Sequence, residues 1–163
     1  MRSIRRELLT TTWVIYLLVV ATLTIVPTHA FQLSLNSGQI NLVPFGYSFK
    51  CFRWALDARS NLRGFCLLNL VGNVALFLPL GILVPAGDRT CSLKRLLLIA
   101  LCLSLGIETI QFVMRFLGNA RAVDIDDVIL NTLGAFLGFA FYKALVAVGL
   151  FGKRSETDGS DLT

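Results

Sequence analysis

Long apolar stretches separated by short polar segments set the pattern of this 163-residue chain. Few charged residues interrupt these stretches. The length of each stretch is close to the roughly 20 residues that an α-helix needs to cross the hydrocarbon core of a bilayer. The pattern predicts an all-α integral membrane protein, a bundle of four transmembrane helices. The predicted spans cover about residues 8–26, 65–84, 93–116 and 127–151.

The four spans form one predicted membrane domain, residues 1–152, and the polar residues 153–163 are predicted to be a disordered cytoplasmic tail. Residues 28–30 are similar to a signal-peptidase site, so cleavage of the first span is an alternative that would leave three spans. The apolar stretch before this site is longer than the usual hydrophobic region of a signal peptide, which favours retention of the span.

The composition of the chain also indicates that the protein lies in a lipid bilayer rather than in water. Hydrophobic residues make up 55% of the chain and the mean hydropathy is +0.72, which is too apolar for an ordinary soluble core. The net charge of +5 could suggest nucleic acid. However, the basic residues lie at the ends of spans, where they set membrane orientation. We therefore expect no nucleic-acid partner.

The basic residues also predict the orientation of the chain. Four spans place both termini on one side, and that side has more Lys and Arg residues than the other. Cytoplasmic loops are enriched in these residues, so both termini are predicted to lie in the cytoplasm. The terminal side has Arg2, Arg5, Arg6, Arg89, Lys94, Arg95, Lys143, Lys153 and Arg154, and the opposite side has Lys50, Arg53, Arg59, Arg63, Arg115 and Arg121.

The first extracytoplasmic loop is predicted to contain a short interfacial helix. Phe49, Phe52 and Leu56 share one helical face within residues 48–63, which indicates an amphipathic helix lying on the membrane. Before it, residues 31–36 alternate between apolar and polar and predict a short strand or hairpin. Two interpretations of the loop stay open: an ordered connection with aromatic residues at the headgroups, and a lid over a site.

A stripe of polar and small residues runs along one face of the last span. Asp127, Asn131, Gly134 and Gly138 are spaced four, three and four residues apart, so they share a face of a helix with 3.6 residues per turn. Paired glycines let a neighbouring backbone approach closely, and an asparagine in hydrocarbon needs a hydrogen-bond partner. The stripe predicts contact with helices that have polar groups at the same depth.

Two other spans contain such polar groups. Asn69 and Asn73 lie one turn apart in the second span, while Glu108 and Gln111 share a face of the third. At 1.5 Å per residue, all of them lie within about 12 Å of the outer surface in the predicted topology. The candidate substrate-binding residues in and beside this layer are Asn69, Asn73, Gln111, Arg121 and Asn131.

Glu108 is the sharpest candidate for chemistry. An ionisable group within a span is costly and commonly functional. One interpretation is a general acid or base, or a ligand-binding group. The alternative is a structural carboxyl, bonded to Asn73 or Asn131.

Three acids precede or begin the last span. Asp124, Asp126 and Asp127 exceed what one helix cap needs. They indicate either a structural ion-pair cluster or a site for a cation or a polar headgroup. The candidate catalytic residues are therefore Glu108, Asp124 and Asp127, and the candidate ligands of an oxygen-bound divalent metal ion are Asp124, Asp126 and Asp127.

Cysteine and histidine predict no cofactor. His29 is the only histidine and there is no CxxC motif, so a zinc site is not expected. Cys66 and Cys102 fall inside predicted spans, while Cys51 and Cys91 fall in loops on opposite sides. We therefore expect the cysteines to be packing residues rather than a disulfide framework.

Five segments in order carry a family resemblance. They are TLTIVP at 22–27, INLVPF at 40–45, NLVGNVALFLPLG at 69–81, the Ile107, Glu108 and Gln111 set, and R-x-x-D-x-D-D-x-x-x-N-x-x-G at 121–134. In this pattern the chain resembles the VanZ-like membrane protein family, named for a protein associated with resistance to teicoplanin-type glycopeptide antibiotics. The resemblance implies a small multi-pass protein of the bacterial plasma membrane and cell envelope, without an agreed reaction.

Three functions compete. The favoured one is a non-enzymatic protein that binds a membrane lipid or lipid-linked cell-wall precursor in an outer-leaflet polar pocket and affects glycopeptide susceptibility. The second is a membrane-embedded enzyme acting on such a lipid, in which Glu108 is the acid or base, Asp124 and Asp127 orient water or a cation, and Arg121 holds phosphate. The third is a transporter, or an accessory subunit of a membrane-protein partner. The sequence has no Ser-His or Cys-His arrangement for acyl transfer and no repeat typical of a transporter.

Overall fold

The computed structural model describes residues 2–25, 40–57, 60–116 and 123–149. Helices account for most of this part of the chain, and two short strands join them. In chain order the elements are α1 (Arg2–Ile25), β1 (Ile40–Asn41), α2 (Gly46–Leu56), α3 (Arg63–Gly87), α4 (Leu93–Arg115), β2 (Val123–Asp124) and α5 (Ile125–Ala147).

Four of the helices are long and apolar enough to cross a membrane. Each candidate span overlaps a predicted one, and all four helices expose large apolar side chains, which suits contact with lipid. The predicted four-helix membrane bundle is therefore confirmed. The spans are Arg6–Thr24, Cys66–Gly87, Leu93–Arg115 and Ile125–Ala147. The predicted tail, the alternating segment at 31–36 and the signal-like site at 28–30 lie outside the described residues.

A close backbone contact between α3 and α5 forms the centre of the bundle. A Cβ atom built on Gly134 would overlap the carbonyl oxygen of Val74, and one built on Gly138 would overlap that of Leu78. A Cβ atom on Gly81 would lie only 2.8 Å from the Cα atom of Gly138. The glycines therefore allow an approach that any larger residue would prevent, and the predicted packing face is confirmed.

The same contacts show that α3 and α5 are parallel, because later residues of α3 meet later residues of α5. Both helices begin at one end of the bundle, and α1 and α4 end there. Near these ends, the Gln111 Nε2 atom of α4 donates to the carbonyl oxygen of Thr24 in α1 over 3.1 Å. We call this the polar end, defined by Thr24, Asn73, Gln111 and Asp124. An apolar core lies deeper in the bundle and contains Tyr16, Val20, Phe77, Leu80, Ala100, Ile107 and Ala135.

The helix of the first loop exists but is shorter than predicted. α2 covers Gly46–Leu56 instead of residues 48–63, because the backbone becomes extended at Asp57, where φ is −80° and ψ is 107°. A turn then leads into α3. At its other end, α2 follows Phe45, whose positive φ of 64° redirects the chain from β1 into the helix.

A disulfide joins α2 to α3, so the expectation that all four cysteines are packing residues was wrong. Cys51 and Cys66 are bonded, with their Cα atoms 5.0 Å apart. Cys66 lies in the first turn of α3 rather than deep in the span, and α2 folds back over that turn. This reversal depends on the loop path and could not be inferred from the spacing of the cysteines. Cys91 is a buried free thiol, and Cys102 is an exposed one.

Two short strands connect the first loop to the start of α5. β1 and β2 are parallel, with Ile40 opposite Val123 and Asn41 opposite Asp124. Two-residue strands leave too little periodicity to be predicted from sequence. This pairing brings the loop before α2 against the acids that begin α5.

Candidate functional site

The polar end holds Asp124 in a network that fixes the start of α5. Its Oδ1 atom accepts hydrogen bonds from the backbone N–H of Asp126 and from Asn41 Nδ2, both over 2.9 Å. The first contact makes Asp124 the N-cap of α5. Burial raises the pKa of Asp124, and the neighbouring charge of Asp126 acts in the same direction, although the hydrogen bonds oppose it.

Glu108 accepts a hydrogen bond from the backbone of this network, which the sequence did not predict. The backbone N–H of Asp124 donates to Glu108 Oε2 over 3.1 Å. The expected partners were Asn73 and Asn131, but each of these forms a hydrogen bond with a different residue. The Glu108 carboxylate is buried and lies where α4 meets the start of α5.

Asp126 is a residue of α5, but its side chain forms hydrogen bonds with the start of a different helix. Its side chain is 2% exposed, and its two carboxylate oxygens accept hydrogen bonds from the backbone N–H groups of Phe45 and Ser48. The Ser48 contact is 2.8 Å long. Both donors belong to the start of α2, where helical N–H groups have no partner within the helix. Asp126 of α5 therefore caps α2.

Asp127 connects the polar end to α3. Its Oδ1 atom accepts a hydrogen bond from Asn73 Nδ2 over 2.7 Å. Tyr47 of α2 lies near this site: burial raises its pKa to about 12, and the negative charges of Asp124 and Asp127 contribute. Asn69 is half-buried, one turn before Asn73. α2 therefore places a phenol beside the acids at the polar end.

Asn131 lies deeper, between α5 and α4. It is 2% exposed, and its Nδ2 atom donates to Ser104 Oγ over 2.8 Å. Among the described residues its Oδ1 atom has no hydrogen-bond partner. A buried amide oxygen commonly has a partner, so this atom has the capacity to accept one more donor.

The three acids before and within the start of α5 bind three different partners. Asp124 accepts from Asn41, Asp126 from the backbone of α2, and Asp127 from Asn73. Within residues 2–25, 40–57, 60–116 and 123–149, no group of three His, Cys, Asp or Glu side chains is arranged to hold a metal ion. The described geometry thus gives these carboxylates hydrogen-bonding roles.

The structure brings together most of the predicted site residues, but in pairs that the sequence did not show. Asn73, Glu108, Gln111 and Asn131 all face other elements at or below the polar end. Arg121 lies outside the described residues. The residues that sequence reasoning missed are Thr24, Asn41, Tyr47 and Ser104. Of these, Ser104 had a usable signal, since it lies four residues before Glu108 on the same helical face.

The fold and this layer define the class: a small helical membrane protein whose polar residues converge at one end beneath a disulfide-linked helix. Within that class, the chain belongs to the VanZ/LLP1 family, whose model matches residues 13–147. The resemblance noted from the motifs is thereby confirmed.

A curated relative gives a similar result. The chain is 33% identical over 103 residues to Protein VanZ of Enterococcus faecium, an alignment that covers 63% of this chain and 52% of that protein. The chain thus spans about half the length of this relative. No solved structure matches the chain.

Proposed function

We propose that this protein binds the polar end of a membrane lipid or lipid-linked cell-wall precursor at the polar end of the bundle, in the outer leaflet of the bacterial plasma membrane. The observation that supports this most is the convergence of Asn73, Glu108, Asp127 and Asn131 from three spans. Polar groups at such a depth cost free energy and are commonly functional. Amides and carboxylates suit a ligand with hydroxyl, amide or amino donors.

The disulfide supports placing the polar end outside the cytoplasm. Disulfides persist in oxidising compartments and are rare in the cytosol, and the Cys51–Cys66 bond lies at this end. The excess of basic residues on the opposite side agrees with this orientation. Both termini are then cytoplasmic.

The consequence proposed for the cell is reduced susceptibility to teicoplanin-type glycopeptides. Family membership and the similarity to Protein VanZ support it. Binding fits the geometry better than catalysis, because the Asp124 carboxylate caps α5 and accepts from Asn41, and the Glu108 carboxylate accepts from the backbone N–H of Asp124. A carboxylate held in a helix cap is poorly placed to transfer protons.

The test compares Glu108→Gln, Asp127→Asn and Asn131→Leu with the parent in a glycopeptide-sensitive host. Teicoplanin susceptibility and protein level in the membrane are measured together. Glu108→Gln and Asp127→Asn keep the shape of each side chain but remove its charge and replace one acceptor oxygen with an NH2 donor. A ligand that donates hydrogen bonds to these carboxylates then loses an acceptor, so normal protein levels with lost protection are expected. Asn131→Leu leaves Ser104 without its amide partner and should lower the protein level.

Asp88→Asn is the matched control, because Asp88 is an acid in the turn between α3 and α4 at the opposite end of the bundle. It should keep full protection. If Glu108→Gln and Asp127→Asn both keep full protection at normal levels, the polar end is structural and the proposed function is wrong.

A further inference from the structure

The outer surface of α2 is an apolar stripe with no partner in the described part of the protein. Phe45, Phe49, Phe52 and Leu56 are each more than half exposed. Phe45 is the N-cap that precedes α2, and at about 100° of rotation per residue the other three side chains fall within one narrow sector of the helix. An exposed aromatic stripe of this kind marks an interaction surface.

α2 has two further sectors. Cys51 and Ala55 are buried and pack against the start of α3. The remaining sector has Lys50 and Arg53, both exposed. Around the helix axis the order is therefore protein contact, apolar stripe and basic residues. A helix lying in a membrane interface, with one side against a bundle, has this arrangement.

Two attachments fix the level of α2 relative to the membrane. The disulfide joins Cys51 to Cys66, the first residue of the second candidate span. At the N-terminal end of α2, the Asp126 carboxylate accepts hydrogen bonds from the backbone N–H groups of Phe45 and Ser48, and Asp126 is the second residue of the last span. Both spans begin at the same end of the bundle, so α2 is held at the boundary where they enter the bilayer.

We infer that α2 is a fixed interfacial helix whose partner is the lipid bilayer, with its apolar stripe among the acyl chains and Lys50 and Arg53 among lipid phosphates. The adjoining span, α3, also exposes apolar side chains near the end to which α2 is bonded: Leu67, Leu68 and Val71. Since the surface of that span is in lipid, lipid also covers the stripe. Basic side chains beside an apolar face reach the headgroups and bind anionic lipid.

Tryptophan quenching in the full chain tests the position of the stripe. In a background with Trp13→Phe and Trp54→Phe, a single tryptophan is placed by Phe52→Trp in the stripe or by Lys50→Trp in the basic sector. These positions face opposite sides of one helix, so they form a matched pair. The protein is reconstituted in phosphatidylcholine vesicles, with or without bromine on the acyl chains, and acrylamide is the aqueous quencher.

We expect brominated lipid to quench the tryptophan at position 52 several-fold more than the one at 50, and acrylamide to show the reverse order. Equal acrylamide quenching at both positions would mean that α2 lies in water. Protection of position 52 from both quenchers would mean that another protein covers it. Either result overturns the inference. Phe49→Trp, in the same sector, replaces Phe52→Trp if that variant does not form the disulfide.

The charges are tested separately with Lys50→Gln combined with Arg53→Gln. Anionic phosphatidylglycerol should raise the melting temperature of the parent above its value in phosphatidylcholine, and the variant should lose roughly 2–4 °C of this difference per residue removed. The combination of Lys50→Arg with Arg53→Lys keeps both charges and should retain the difference. If the Gln variant retains it too, these residues do not contact lipid phosphates.

Discussion

Asp126 uses one carboxylate to join two elements that are far apart in the chain. It lies in the first turn of α5, yet its oxygens accept hydrogen bonds from the backbone of Phe45 and Ser48 at the start of α2. A helix normally obtains this cap from a residue just before it. Phe45 supplies no side-chain acceptor, so the acid from α5 replaces it.

We predict that Asp126→Ala destabilises the protein by about 1–3 kcal/mol, because it leaves two part-buried N–H groups at the start of α2 without acceptors. Asp126→Asn keeps one acceptor oxygen and should cost less. Thermal unfolding followed by tryptophan fluorescence would measure both, since Trp54 lies on α2. Asp88→Asn, in an exposed turn, should melt close to the parent. An Asp126→Ala variant that melts like the parent would show that the cap contributes nothing.

Asp124 gives a prediction about pH. Its pKa is raised above the ordinary 3.8 by burial, so the folded state holds this proton more tightly than the unfolded state. The contribution to stability is then fully present below pH 3.8 and falls as pH rises through the folded-state pKa. Asp124→Asn keeps an oxygen acceptor for Asp126 and Asn41. Its melting temperature relative to the parent should therefore increase as pH rises from about 4 to 7.

Asp88→Asn is the control, because the pKa of Asp88 is shifted in the opposite direction from that of Asp124. Hydrogen bonds from Thr90 are the largest cause of the lowered pKa of Asp88, and Arg95 adds to it. That contribution is present above pH 3.8 and is lost as pH falls. Relative to the parent, the melting temperature of Asp88→Asn should therefore fall as pH rises to about 4 and then stay nearly constant from about 4 to 7. If both variants show the same pH trend, the burial of Asp124 does not determine its behaviour.

At the scale of elements, glycines decide how α3 and α5 meet. Gly134 and Gly138 face backbone carbonyl groups of α3, which cannot rotate away as a flexible side chain would. Gly106, on α4, has open space where a Cβ atom would lie. Glycines within spans of one protein thus have different structural roles.

We predict that Gly134→Ala and Gly138→Ala each cost about 1–3 kcal/mol or more, because the helices must separate to admit a methyl group. The Leu variants should fail to accumulate in the membrane. Gly106→Ala should be neutral or slightly stabilising, since alanine is the better helix former. Folded yield and melting temperature in detergent measure all of these. Equal behaviour of Gly134→Ala and Gly106→Ala would contradict the close contact.

At the scale of the whole molecule, the ends of the helices separate two chemically different faces. The polar end collects the acids, the amides and the disulfide, and the opposite end has the turn with the exposed Asp88–Arg95 ion pair. Because the two ends lie on opposite sides of the membrane, labelling one residue at each end measures the proposed orientation.

We predict that Gly118→Cys, in the connection between α4 and α5, reacts with a membrane-impermeant maleimide in intact cells. Thr90→Cys, in the turn between α3 and α4, should react only after lysis. The background replaces Cys91 and Cys102 with serine and keeps the Cys51–Cys66 disulfide. Labelling of position 118 only after lysis would reverse the orientation, and with it the outer-leaflet position of the proposed site.

The sequence by itself determined the spans, the close-packing glycines and the depth at which polar residues lie. The physical reason is that hydropathy and the 3.6-residue period are local properties, and both survive in an isolated helix. Asn73, Glu108 and Asn131 could be placed near one depth because 1.5 Å per residue fixes distance along each helix.

Only the tertiary structure decided which groups meet. Glu108 binds the backbone of Asp124 instead of Asn73 or Asn131, and Asp126 caps α2 instead of its own helix. These pairings depend on how each helix is rotated about its axis and on the path of the first loop. The periodicity of a single segment encodes neither the rotation of a helix nor the path of a loop. The Cys51–Cys66 bond and the β1–β2 pairing therefore could not be predicted from the sequence, because they form only when α2 folds back over the bundle.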